Sequence, residues 1–132
     1  MNLDTAALIT RSGLLSHAEA VTVRATNIAN AETTETPEGG PFRPLAVALA
    51  TRRVGDEGVG VETEIDESGA TPMRRHEPGH PHADEQGWVA YPDVDLNVEI
   101  TSLAIARRSY EANLAAASTL RAMGRAALDL AR

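Results

Sequence analysis

The chain predicts an α+β fold: two long terminal helices forming a coiled-coil-like antiparallel pair, with a small, irregular, β-rich middle domain. Three observations lead there. All seven prolines and eight of the ten glycines lie between Pro37 and Pro92, which leaves two terminal arms nearly free of helix breakers. Apolar residues in both arms recur with gaps that sum to seven. Within the middle, Val59, Val61, Thr63 and Ile65 alternate with Gly60, Glu62, Glu64 and Asp66, the period of a strand with one wet face.

The first arm, residues 1–31, places Ala7, Leu14, Ala18, Val21, Ala25 and Ile28 on one helical seam. Asp4, just ahead of Ala6 and Ala7, is placed to act as an N-cap. Asn27 falls inside the helix, where Asn has poor propensity, so a hydrogen bond to a helix of a neighbouring subunit is expected to justify it. Asn30 stands where the helix runs into Thr33 and Thr34, and either caps the helix or contacts a partner.

The middle segment, residues 32–94, reads as strands separated by loops. Phe42 to Val54 contains one strand, whose start Pro44 confines to an edge, Val59 to Asp66 a second, and Gly87 to Tyr91 a third. The stretches TTETPEGGP (33–41) and GATPMRRHEPGHPHADEQG (69–87) are expected to be loops on composition.

The last arm, residues 95–132, begins beyond Pro92, with Asp95 as cap and Glu99 in the first turn. Leu96, Ile100, Leu103, Tyr110, Leu114 and Ala117 form one seam, on which Arg107 and Arg121 also fall. Ala116, Leu120, Met123, Ala127 and Leu130 form a second stripe on an adjacent face. A helix over 96–130 would be a rod of roughly 50 Å. Two apolar faces exceed what one partner helix needs, so at least one is expected to be an intermolecular contact. Tyr110 and Asn113 suit the fixing of register between packed helices, although a core position for Tyr110 stays open.

Composition excludes several classes. The 132 residues include no cysteine and no lysine, which removes disulfides, thiolate chemistry, Schiff bases and the P-loop lysine. A net charge of −7 opposes general nucleic-acid binding. That charge is uneven: residues 32–99 hold fifteen acids against five arginines, whereas residues 100–132 hold two acids against five arginines. The longest apolar run, Leu45 to Ala50, is too short to span a membrane, and MNLDTAALIT lacks the character of a cleaved leader. Aromatics make up 3%, so helices are expected to pack closely through alanine.

The best enzyme-like cluster is His76, His80 and His82 with Glu77, Asp84 and Glu85 around them. Imidazole and carboxylate are zinc ligands, so a small metal-dependent enzyme or metal-binding protein is the alternative function. The spacing is not HExxH, and Pro78, Gly79 and Pro81 bar the helix that would align two imidazoles. No GxSxG, GxxxxGK[ST] or GxGxxG pattern occurs, so no catalytic or cofactor-binding residues are assigned.

Three segments together are more specific: RATNIANAETT (24–34), PGHPHADEQGWVAYPDV (78–94) and ARRSYEAN (106–113). The first and third resemble boxes shared by flagellar rod, hook and hook-associated proteins. With the middle one and the short length, the whole chain resembles the flagellar basal-body rod proteins of the FlgC type, proximal rod subunits. It departs from their pattern at Asp93 and Asp95, where Asn is usual, and at Trp88, where Tyr is common.

The resemblance implies a structural role and no enzymatic activity or cofactor. Residues 1–31 and 95–132 would form the rod core and residues 32–94 an outer domain, the rod transmitting torque and enclosing the export channel. Assembly contacts are expected at Leu14, Ala18, Val21, Ala25, Asn27, Ile28 and Asn30 of the first helix. In the second they are expected at Leu103, Tyr110, Asn113, Leu114, Leu120, Met123 and Leu128. Implied partners are further copies, rod proteins of the FlgB and FlgF types, and the FliE-type adaptor. Export through the flagellar type III apparatus would place the working protein in the periplasmic rod of the basal body.

Overall fold

A computed structural model describes residues 3–55 and 58–130. The elements run α1 (Leu3–Ala29), β1 (Leu45–Val54), β2 (Gly58–Glu67), β3 (Met73–His76), β4 (Trp88–Tyr91) and α2 (Leu96–Leu130). β1 pairs with β2, and β3 with β4, in separate two-stranded sheets. The architecture is the expected α+β one, with two long helices about a small β region.

Local chemistry accounts for the helix ends. Asp95 caps α2: its Oδ1 accepts from the backbone N–H of Asn97 at 2.9 Å and of Val98 at 3.2 Å. Asp4 is not a cap, since α1 already includes Leu3; it lies in the first turn, where its charge complements the helix dipole. At the far end of α1, the Asn30 amide donates to the Thr26 carbonyl at 2.9 Å. The Asn30 backbone N–H donates to the same Thr26 carbonyl at 3.1 Å, and the Thr33 hydroxyl donates to Asn30 Oδ1 at 3.2 Å, so Asn30 closes the helix with both its backbone and its side chain.

The chain divides into two compact units. The first comprises Met1–Val21, Val47–Glu64 and Ala104–Arg132; the second comprises Thr22–Ala46 and Ile65–Leu103.

In the first unit α1 and α2 run antiparallel: the Asn113 amide packs on Gly13, and a Cβ at Gly13 would lie 3.0 Å from Asn113 Oδ1. The buried face of α1 is not the apolar seam. It carries Thr5, Gly13, Ser16 and Ala20, while Leu14, Ala18 and Val21 are half-buried and Ala7 is exposed. The cause is β2, whose edge needs hydrogen-bond partners. Ser12 Oγ accepts from the Val61 N–H at 3.0 Å, and Ser16 Oγ donates to the Val61 carbonyl at 3.3 Å. Close approach requires glycine on β2, because a Cβ at Gly60 would collide with Ser12 Oγ. Burial on β2 consequently departs from the expected alternation: Gly58 and Gly60 are buried and Val59 is 60% exposed.

In the second unit Asn27 completes the same device on β1. Its amide donates to the Leu45 carbonyl at 2.8 Å, and its Oδ1 accepts from the Leu45 N–H at 2.9 Å. Asn27 is only 1% exposed, so this partner within the chain, rather than one in a neighbouring subunit, uses both ends of its amide. Arg24 on α1 reaches Glu99 on α2 at 3.0 Å.

Residues 69–87 are not all loop. Met73–His76 forms β3, antiparallel to β4 with Met73 opposite Tyr91 and His76 opposite Trp88. Flanking Gly and Pro hide this strand in the sequence. Aromatic contacts hold it: the Arg75 guanidinium lies 4.4 Å over the Tyr91 ring, and His76 meets Trp88 edge-on at 5.1 Å. Val89 and Tyr91 face inward and are buried.

Candidate assembly surfaces

The loop joining β3 to β4 is organised by Asp84. Its Oδ1 accepts from the N–H groups of Gln86 and Trp88, both at 2.9 Å, and its second oxygen pairs with Arg74. The Trp88 N–H holds the Asp84 carboxyl below its ordinary value, with Gln86 and Arg74 assisting and desolvation opposing. Gly87 follows at φ 79°, a conformation suited to glycine. Tyr91 Oη donates to Glu77 at 2.9 Å, and that bond raises the phenol above its ordinary value.

The three histidines serve this loop separately. His76 packs on Trp88; His80 Nδ1 accepts from the His82 N–H at 3.1 Å; and His82 Nδ1 shares a 2.8 Å hydrogen bond with Thr34 Oγ1. Among the described residues no three His, Cys, Asp or Glu side chains converge as a metal site. The His82 bond ties the box following α1 to the box preceding α2, both in the second unit.

The helices carry most of the exposed apolar surface. On α2 only Ala106 is buried. Leu103, Tyr110, Asn113 and Leu120 are half-buried, whereas Leu114 is 50% exposed, Met123 54% and Leu128 68%. On α1, beside the residues already placed, Ile28 is half-buried and Ala25 exposed. Asn113 donates back to the Ser109 carbonyl at 3.1 Å while its amide covers Gly13.

Leu14 and Leu120 line a groove of about 520 Å³ in the first unit. Leu3, Ala7 and Ala117 complete its apolar wall, and Asp4, Arg11 and Arg121 also line it. The second unit has an open concavity of about 430 Å³ beside Phe42 and Pro44, bordered by the Arg43–Glu67 ion pair at 3.0 Å.

Sequence reasoning missed Ser12, Ser16 and Asp84 as organising residues. Its only usable signal for the serines was their four-residue spacing, which puts both hydroxyls on one helical face. For Asp84 the signal was an acid followed closely by glycine. No described helix is long and apolar enough to cross a membrane.

No family model matches the chain. Individual relatives do. The chain is 34% identical over 117 residues to the flagellar basal-body rod protein FlgC of Escherichia coli O6:H1, covering 87% of each. Against FlgC of Borreliella burgdorferi identity is 30% over a 149-residue alignment covering 98% of each. Against FlgC of Agrobacterium fabrum it is 32% over 133 residues, covering 97% of this chain and 94% of the relative. With two long terminal helices, apolar surface left open along α2 and like-sized relatives from diverse bacteria, the chain belongs to the flagellar basal-body rod protein FlgC family, structural subunits of the flagellar basal body.

Proposed function

We propose that this chain builds the rod through its two terminal helices, with residues 1–31 and 95–132 as rod core and residues 32–94 as an outer domain. The supporting observation is the apolar surface of α2, where Leu114, Met123 and Leu128 lie at least half exposed. Apolar surface of that extent marks an interface. It joins other rod components. Proteins of the FlgB and FlgF types, further copies and the FliE-type adaptor are the proposed neighbours, and the half-buried Leu14, Val21, Ile28, Leu103 and Leu120 border their contacts. The role is architectural rather than enzymatic: the rod transmits torque and encloses the export channel. Delivery is by the flagellar type III route to the periplasmic part of the basal body.

Leu114→Asp tests this reading. The position is half exposed, so the isolated chain should keep its far-UV spectrum, with stability within about 0.5 kcal/mol of the parent. In the rod the carboxylate would be desolvated without a partner, a cost of several kcal/mol. Loss of motility and absence of the variant from purified basal bodies are expected. Normal incorporation would remove α2 from the interface.

A further inference from the structure

Both small sheets leave a strand edge open. β3 pairs only with β4, all four of its residues are exposed, and no other described backbone group bonds it. β2 pairs only with β1. The serines of α1 take both backbone groups of Val61 on its outer edge, so the same-parity residues Thr63, Ile65 and Glu67 point theirs to that side. Among the described residues no other backbone bond satisfies them. Open edges of this kind are templates for pairing with another chain.

The side chains determine what each edge can accept. β2 carries Glu62, Glu64, Asp66 and Glu67; β3 carries Arg74, Arg75 and His76. Glu64 and Asp66 have no cation within ion-pair range among the described residues, and Arg75 has no carboxylate. Arg74 is shared with Asp84 in an exposed pair that a competing carboxylate can replace. Arg74 and His76 share one face of β3, with Arg75 on the other, and Glu64 and Asp66 share one face of β2. Side chains two apart repeat at about 6.6 Å, so the Arg74–His76 row and the Glu64–Asp66 row have the same pitch. Pairing β3 with β3 would oppose arginines, and pairing β2 with β2 would oppose carboxylates, which destabilises a pair. Only the unlike pairing is complementary.

We propose that the outer edge of β3 in one copy accepts residues 63–67 of β2 in a second copy, by strand addition steered by charge. The contact is heterologous, because each copy offers one strand of each kind, and a heterologous contact that does not close propagates along an assembly. This goes beyond the helix contacts proposed for the rod core and does not depend on them.

The test is sedimentation of the purified full chain at low and at physiological ionic strength. Self-association that weakens with salt is expected for the parent. Arg74→Glu with Arg75→Glu makes both edges acidic, and Glu64→Arg with Asp66→Arg makes both basic; each doubly substituted chain alone should associate about tenfold more weakly. Mixing the two should restore association, since every unlike edge then meets its opposite. A parent that stays monomeric at low salt, substituted chains that associate as the parent does, or a mixture that fails to recover would each overturn the proposal. Should a charge reversal disturb folding, Arg75→Gln and Asp66→Asn provide neutral versions. They should each weaken association severalfold, and unchanged association would count against the pairing. Leu114→Asp should leave this association unchanged, separating its failure from that of the rod-core reading.

Discussion

Asn27 offers a direct measure of how α1 is attached. Replacing it with alanine removes the donor held 2.8 Å from the Leu45 carbonyl and the acceptor held 2.9 Å from the Leu45 N–H. Each backbone group left buried and unpaired costs about 1–3 kcal/mol. Leu45 is half-buried, so water can reach part of the gap and the lower half of that range applies. Two groups then cost about 2–4 kcal/mol. Alanine returns about 0.6 kcal/mol through better helix propensity. The net loss is about 2–3 kcal/mol, equivalent to roughly 10 °C in melting temperature for a chain of this size. Urea and thermal unfolding of the purified chain, followed by far-UV circular dichroism, measure it. Asn27→Asp keeps the acceptor and loses the donor, and should be no more stable than Asn27→Ala. Asn30→Ala, which loses one partly exposed cap, should cost about 1 kcal/mol or less. An Asn27→Ala chain within about 0.5 kcal/mol of the parent would refute the attachment and return Asn27 to a subunit contact.

Two further outcomes follow from the geometry. Gly60→Ala places a methyl group on Ser12 Oγ, and should destabilise the chain by about 1–3 kcal/mol in the same unfolding assay, whereas Gly124→Ala, inside α2 with nothing within 4 Å, should stabilise it by about 0.5–1 kcal/mol. Asp84 has a folded-state value below its ordinary 3.8, so its contribution to stability is present above that pH and is lost as the pH falls through the lowered value. An acid titration of stability should therefore be shallower below pH 3.8 in Asp84→Asn than in the parent, and identical curves would show that the loop does not depend on this carboxylate.

Much of the fold was legible because breakers, caps and apolar periodicity act locally. Asp95 caps α2 as its position after Pro92 suggested, and the strands around Val47, Val61 and Val89 stand where the composition put them. What was illegible depends on distant partners. Nothing in MRRH marks a strand until Trp88 and Tyr91 are opposite it. The inner face of α1 could not be read from hydropathy, because it is chosen by the hydrogen-bonding needs of Val61 and Leu45 rather than by apolar burial. Among the residues expected at assembly contacts, exposure could not be read from the boxes: Leu114 is half exposed, whereas Asn27 is buried and bonded within the chain.

The polar attachment of α1 has a calorimetric consequence. Heat-capacity change tracks apolar area removed from water, and among the described residues the buried hydrophobic set is small: Ala20, Val23, Val89, Tyr91 and Ala106. Folding of the single chain therefore carries little of that signature and responds weakly to temperature. In the rod-core contacts proposed above, covering the leucines still in water would supply the remainder, so cooling is expected to loosen that assembly before it loosens the single chain.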